Sequence, residues 1–130
     1  MSFRSFAKNP RGENRQFLDL ARGQDCLLRS PICNSDPATT VACHPRGVAT
    51  YGTGGHYKAG DEYSIWGCSQ CNWFTDGYKD ATPEEKQQLF VDARPRQIRA
   101  LKEIAASDRK ETRRQAALWA LKRLGEAGEI

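Results

Sequence analysis

Residues 63–76 read YSIWGCSQCNWFTD, and this stretch decides the fold. Its first five residues include Tyr, Ile and Trp, a composition that is typical of a short strand. A CxxC pair follows, in which Cys68 and Cys71 place two thiols on one tight turn. Asn72 and Asp76 come next with helical spacing, so both would lie on one face of a helix. The stretch therefore predicts a strand, a cysteine knuckle and a helix in direct succession.

A second cysteine pair lies upstream of this stretch, and its members are separated by six residues. Zn²⁺ takes four soft ligands in a tetrahedron, and structural zinc sites are usually closed sets of Cys, or of Cys and His. The two pairs together provide such a set, and the ion would close the long loop between them and so restrict the unfolded chain. We expect a structural Zn²⁺ on four thiolates: Cys26, Cys33, Cys68 and Cys71.

The alternative role for the CxxC is a redox-active pair. A redox CxxC normally opens a helix within a βαβ context, and no such repeat precedes this one, so a thiol-redox protein is less favoured. The fifth cysteine, Cys43, adjoins His44 on a predicted strand, where successive side chains point to opposite faces. We expect Cys43 to be a small buried apolar residue.

The segments before the CxxC predict one helix and one strand. Residues 13–22 follow a helical pattern that ends at Gly23. TTVACH, at residues 39–44, is short and β-branched and predicts the first strand. Together with the strand at 63–67, this predicts a small hairpin joined by a glycine-rich loop.

The segments after the CxxC predict helices. Thr82, Pro83 and Glu85 form a capping-box helix start. Pro95 is expected to interrupt that helix and to begin the next one. A last helix is predicted over residues 108–124, with an apolar stripe on one face. That stripe is Ala117, Leu118, Leu121 and Leu124.

Length and charge limit the organisation of the chain. It has 130 residues, a mean hydropathy of −0.73 and no apolar run near the ~20 residues that span a bilayer. Its first residues lack the apolar core of a signal peptide, so we expect a cytoplasmic protein. The formal net charge is +3 over 1–24, −2 over 25–81 and +3 over 82–130. This distribution suits a polyanion held from both flanks, although such charges also simply solvate helices.

His44 is the candidate catalytic residue. It ends the first predicted strand, and Pro45 forces an extended backbone at the residue before it. Its imidazole ordinarily titrates near ~6.5, so it can accept a proton near neutral pH. Asn72 and Asp76 offer the oxygen ligands that Mg²⁺ and Mn²⁺ prefer. A hairpin followed by a helix would turn His44 toward such a cation, although an isolated histidine is more often structural.

Several short motifs in one order resemble a known family. They are Ala21-Arg22-Gly23-x-x-Cys26, Pro31-x-Cys33-Asn34, Thr40-Val41-Ala42-x-His44, Gly52-Thr53-Gly54, and Cys68-Ser69-x-Cys71 followed by Asp76. Over about residues 18–80 the chain resembles the YbcO-like nucleases of prophages, which are similar to Ref-type HNH nucleases of phages. The resemblance implies an α+β fold with a ββα-metal (HNH, or His-Me finger) core, a structural Cys₄ zinc, and a separate Mg²⁺ or Mn²⁺ for DNA hydrolysis.

The resemblance also implies roles for individual residues. His44 matches the general base, and Asp61 matches an acidic position that orients the base in related proteins. The four cysteines match the zinc ligands. Asn72 stands where a histidine ligand is usual, and Cys43 stands where an acidic residue is frequent. The implied catalytic set is therefore His44, Asp61 and Asn72, with Asn72 and Asp76 holding the catalytic cation.

These expectations combine into one predicted organisation and one predicted activity. The organisation is a basic arm and helix at 1–23, a zinc-stapled nuclease core at 24–81, and a basic helical extension at 82–130. The activity is DNA hydrolysis in phage or prophage recombination or processing, in the cytoplasm of a bacterial host. Host or phage recombination proteins and a second copy of the chain are the candidate protein partners. The expected DNA contacts are Lys58, Arg94, Arg96, Arg99, Arg113 and Arg114. The alternative is a catalytically inactive zinc-stapled module that binds DNA or acts as an adaptor.

Overall fold

A computed structural model describes residues 12–46 and 59–130. It contains four helices and two strands in these ranges. In chain order they are α1 (Arg15–Asp19), β1 (Val41–Cys43), β2 (Ile65–Gly67), α2 (Ser69–Asp76), α3 (Pro83–Ser107) and α4 (Glu111–Glu126). The arm ahead of Gly12, the glycine-rich stretch at 52–55 and the expected DNA contact Lys58 lie outside the described residues.

The two strands form one antiparallel ladder, so the fold is α+β as expected. Val41 pairs with Gly67, Ala42 with Trp66, and Cys43 with Ile65. Both strands are shorter than predicted because 3₁₀ turns precede them, at Pro37–Thr39 and Asp61–Tyr63. Helix α2 begins directly after β2, with Cys68 as its N-cap. The predicted succession of strand, knuckle and helix is confirmed.

Helix α1 is shorter than the predicted helix at 13–22. Asn14 caps it, because its side-chain oxygen accepts the N–H of Phe17 at 2.9 Å. The chain then leaves through a turn to Gly23, which has φ +76°. Glycine adopts this left-handed conformation without a steric penalty, so its place as the helix stop is confirmed.

Helix α3 runs through Pro95, so the predicted interruption there is wrong. The capping box of Thr82 and Glu85 starts this helix as expected. Pro95 removes one helical hydrogen bond, but the residues beside it are fixed by bonds to other segments. These bonds are Arg94 to Tyr63 O (2.6 Å), Arg96 to Leu27 O (2.8 Å), and Trp66 N to Gln97 Oε1 (3.1 Å). Anchors on both sides of the proline hold the helix as one rod.

Helix α4 buries most of the predicted stripe. Ala117 and Leu124 are buried and Leu121 packs against the core as expected, whereas Leu118 is 44% exposed and Ala116 and Ala120 are buried in addition. The expectation for Leu118 is wrong because the helix turns its alanines toward α3 and α1. Small side chains allow the helices to approach closely, which the sequence pattern of large apolar residues does not reveal.

The buried residues form two groups. The cysteine cluster consists of Cys26, Leu28, Cys43, Ile65, Cys68, Cys71, Phe90 and Ala93. The helical cluster consists of Phe17, Leu20, Ala21, Trp66, Leu101, Ala116, Ala117, Ala120 and Leu124. Across 12–46 and 59–130, no helix is both long enough and apolar enough to cross a bilayer.

Candidate functional site

Four cysteines converge on one point beside the hairpin. The sulfur atoms of Cys26, Cys33, Cys68 and Cys71 all lie within 4.8 Å of one another. The Cys26–Cys71 sulfurs are 3.5 Å apart, and the Cys33–Cys68 sulfurs are 3.8 Å apart. Zn–S bonds of ~2.3 Å in a tetrahedron put sulfurs about 3.8 Å apart, so the spacing fits such an ion. The four cysteines can therefore bind a metal such as zinc.

Backbone N–H groups support the thiolate form of these sulfurs. Ser30 N donates to Cys71 Sγ at 3.3 Å, and Asn34 N donates to Cys68 Sγ at 3.4 Å. Both donors lie beside residues in the left-handed region, Arg29 with φ 55° and Ser35 with φ 56°. The hydrogen bond from Cys71 lowers the pKa of Cys26 to about 4, and the same contact raises the pKa of Cys71. The loop turns its polar backbone toward the sulfurs of Cys68 and Cys71.

Cys43 is separate from this quartet, as predicted. It is fully buried, and burial raises the pKa of its thiol well above the usual value. Gly67 packs directly against it: a Cβ added there would meet Cys43 Sγ at 2.8 Å and Leu28 at 2.7 Å. Cys43 is therefore a packing residue, and Gly67 is required for that close packing.

The side chain of His44 is joined to Asp61. His44 Nε2 lies 2.8 Å from Asp61 Oδ1, and Asp61 Oδ2 accepts the N–H of Asn14 at 2.7 Å. Asp61 is 4% exposed, and its own N–H donates to Gly12 O at 2.9 Å. A carboxylate fixed in this way accepts a hydrogen bond from Nε2–H of the imidazole, and in the neutral form of such a ring Nδ1 carries the lone pair. This contact is the one expected of a residue that orients a histidine base.

The 3₁₀ turn that carries Asp61 is held by two arginines. Arg94 is buried and donates to Tyr63 O, while Arg123 Nε lies 3.0 Å from Glu62 Oε2. Glu62 is itself 5% exposed. Residues from α3 and α4 thus fix the segment that positions the histidine. No sequence motif points to the pairing of Glu62 with Arg123, because no local spacing links positions so far apart.

His44 opens onto a pocket of about 240 Å³. Asp76, at the end of α2, lines the same pocket, and so do Arg46, Lys86 and Phe90. Arg46 lies 3.0 Å from Asp76. His44 and Asp76 therefore line the same pocket, and the guanidinium of Arg46 contacts the carboxylate of Asp76. Arg46 and Lys86 were not singled out from sequence, although Arg46 lies only two residues past the histidine.

Asn72 lies one helical turn before Asp76 on α2. Its side chain is exposed and is not among the residues that line the pocket, and its backbone N–H donates to Cys68 O at 2.9 Å. The structure therefore brings Asp76 to His44 and leaves Asn72 outside the pocket.

The predicted DNA contacts differ in their surroundings. Arg94 and Arg96 bond to backbone carbonyls of other segments, and their contact with DNA stays a prediction. Arg113 pairs with Asp108 at 2.8 Å, and Arg114 donates to Asp108 O at 2.6 Å. Arg99 is exposed on α3.

Comparison with known proteins gave one match. Residues 15–118 match the model of a family described as "Putative nuclease YbcO". No curated protein and no solved structure matches the chain.

Proposed function

The chain belongs to the YbcO family, and from that premise we propose that it is a metal-dependent HNH-like endonuclease that hydrolyses DNA phosphodiester bonds. The family description implies a hydrolase that acts on nucleic acids. The observation that carries the finer proposal is the pair His44–Asp61, joined at 2.8 Å at the edge of a pocket that also contains Asp76. The succession of hairpin and helix around it supports the proposal of a ββα-metal core.

His44 is the proposed general base. With Nε2–H on Asp61, Nδ1 takes a proton from water as the water oxygen attacks phosphorus. The bond from phosphorus to the 3′-oxygen breaks, and that oxygen takes a proton from solvent water, which leaves a 5′-phosphate and a 3′-hydroxyl. Asp61 holds the ring in position and stabilises the imidazolium that forms. General-base catalysis of this kind contributes ~10²–10⁴-fold to the rate.

Two metal sites belong to the proposal. Zn²⁺ is the proposed occupant of the cysteine quartet, whose soft donors and spacing fit it. Asp76 and Asn72 are the proposed ligands of a catalytic Mg²⁺ or Mn²⁺, since carboxylate and amide oxygens suit hard cations. A bound cation there would neutralise the charge that develops on the phosphate oxygens. Because Asn72 is outside the pocket, Asp76 is the principal ligand in this proposal.

DNA is the proposed substrate, and the proposed setting is recombination or processing of phage or prophage DNA in a bacterial cytoplasm. Exposed Arg99, together with Arg113 and Arg114 at the start of α4, would add contacts to the phosphate backbone. Lys58 remains a predicted contact. Recombination proteins and a second copy of the chain remain proposed partners.

A plasmid-nicking assay tests the proposal. Supercoiled DNA with Mg²⁺ or Mn²⁺ should be nicked by the unaltered protein, and omission of the added cation should stop the reaction. His44→Ala should lower the rate by ~10²–10⁴-fold with its zinc content unchanged. His56→Ala, which removes the chain's other histidine, is the matched control and should nick normally. Nicking by His44→Ala at the unaltered rate would show that His44 is not the base.

A second candidate function is a zinc-stapled DNA-binding or adaptor module without catalysis. The Arg46–Asp76 contact favours it, because a guanidinium occupies the carboxylate that a cation would need. The same assay distinguishes the two: the inactive module binds zinc and DNA but nicks nothing with either cation.

A further inference from the structure

We propose that Arg46 and Lys86 form a phosphate cradle on the walls of the His44 pocket and grip the DNA phosphodiester that His44 attacks. This inference rests on the proposed nuclease function and names the residues that hold its substrate. Both side chains line the pocket that contains His44, and neither belongs to the cysteine quartet or to the Asp61 contact.

Arg46 is placed by a rigid segment of backbone. Pro45, directly before it, is almost completely buried, and Pro45 O accepts the N–H of Ala59. The proline also restricts the backbone of His44. His44 and Arg46 therefore project from the same fixed segment, two residues apart, and both line one pocket.

Lys86 is placed by the first turns of α3. Pro83, Lys86, Gln87 and Phe90 line the pocket with a spacing of three, four and seven residues, which is one face of a helix. Phe90 is 3% exposed and packs in the cysteine cluster, so this face cannot rotate away. The capping box at Thr82 fixes the start of the helix. Lys86 thus projects from a fixed wall of the pocket.

The charges of the pocket favour an anion. Two permanent cations, Arg46 and Lys86, face one carboxylate, Asp76, and one imidazole. A guanidinium and an ammonium are the groups that proteins use to bind phosphate, the first through paired N–H donors and the second as a point charge. A phosphodiester carries the single negative charge that balances this set.

The contact between Arg46 and Asp76 can be exchanged for a phosphate. The two side chains are 47% and 60% exposed, and ion pairs in contact with water are weak. A phosphate that enters the pocket can therefore take Arg46 from Asp76. The exchange leaves the carboxylate to the proposed divalent cation, so cation and DNA would assist each other's binding.

The test is a salt titration of DNA binding in a buffer without Mg²⁺ or Mn²⁺, so that binding is measured without cleavage. The probe is a fluorescein-labelled 20-base-pair duplex, and fluorescence anisotropy gives the Kd. Lys86→Gln and Arg46→Gln should each weaken binding about 5–10-fold at low salt and lower the log–log salt slope by about 1. The control is Lys102→Gln, which removes the same charge from an exposed position on the same helix and should leave the slope unchanged.

Zinc content and circular dichroism establish that each variant is folded. An equal slope for Lys86→Gln and Lys102→Gln in folded protein would overturn the cradle, and so would a failure of the unaltered protein to bind the duplex. If the slopes differ as expected but the unaltered protein nicks no plasmid, the cradle stands and the nuclease function fails. Nicking by Lys86→Gln and Arg46→Gln at unaltered KM would also overturn the cradle.

Discussion

The cysteine cluster and the helical cluster are of similar size, but they are held together differently. Half of the eight buried residues in the cysteine cluster are cysteines, and short strands and loops supply most of it. The helical cluster is built from apolar side chains of α1, α3 and α4, with Trp66 from the hairpin. The proposed zinc ion would hold the first region through a few strong directional bonds, whereas the second depends on buried apolar area.

The two regions support the candidate site in different ways. His44 and Asp76 flank the cysteine cluster, in segments too short to bury much apolar surface. Four metal–sulfur bonds can hold such segments without a large core. Helix α4, which contributes four residues to the helical cluster, also carries Arg123, whose contact with Glu62 holds the turn that positions Asp61.

Loss of the zinc ion should have the largest effect. Binding of structural zinc is worth ~10–16 kcal/mol in zinc-finger peptides, which matches or exceeds the ~5–15 kcal/mol stability of a whole domain. Cys68→Ser should therefore abolish hydrogen-exchange protection across β1, β2 and α2, while α4 stays partly protected. Mass-spectrometric hydrogen exchange measures this. Cys43→Ala is the control and should retain one zinc per chain. If Cys68→Ser were as well protected as the unaltered protein, the metal would not be what stabilises this region.

A cavity in the helical cluster should have the next largest effect. Leu101 is fully buried, so Leu101→Ala should lower the free energy of unfolding by ~2–5 kcal/mol. Leu118→Ala, at a 44% exposed position on α4, should change it by less than ~1 kcal/mol. Urea unfolding of zinc-loaded protein gives both values. Similar losses for the two variants would contradict the buried alanine stripe of α4.

The Glu62–Arg123 pair connects the helical cluster to the turn that carries Asp61. Because Glu62 is nearly fully buried and Arg123 is partly exposed, Arg123→Met should cost ~1–3 kcal/mol of unfolding free energy by leaving a buried carboxylate without its partner. Adding Glu62→Gln to that variant should recover part of the loss, which a double-mutant cycle measures. Additive effects of the two substitutions would show that the pair is not coupled.

The smallest effect concerns pH and the start of α4. The hydrogen bond from Arg113 lowers the pKa of Asp108. A lowered folded-state pKa stabilises the protein above the unfolded value of ~3.9, and this stabilisation disappears as pH falls through the folded value. Asp108→Asn should therefore be slightly less stable than the unaltered protein near pH 7, and the gap should close in acid. Urea midpoints at both pH values measure it; a gap that widens in acid would reverse the sign.

The sequence predicts the elements whose signals are local. The CxxC, the capping box at Thr82 and the stop at Gly23 each depend on residue type within a few positions, and each is found as expected. The convergence of four cysteines also follows from sequence, because zinc chemistry restricts which residues can be partners.

The features that the sequence does not predict depend on distant contacts. Pro95 stays inside a helix because bonds from other segments hold its neighbours. Asp76 forms an ion pair with Arg46 because the residues after β1 pass close to the end of α2. The pairing of Glu62 with Arg123 crosses 61 positions. In each case the tertiary structure brings the partners together, and no pattern in the sequence predicts the pairing.

Helix α3 is a member of both clusters, since it places Phe90 and Ala93 in one and Leu101 in the other. At 25 residues it is about 37 Å long, and it connects the two clusters. Unfolding of either end of α3 would remove packing surface from the cluster at its other end. In the zinc-loaded protein the two clusters should therefore unfold together in a single calorimetric transition, whereas loss of the metal should leave the helical cluster to unfold at a lower temperature.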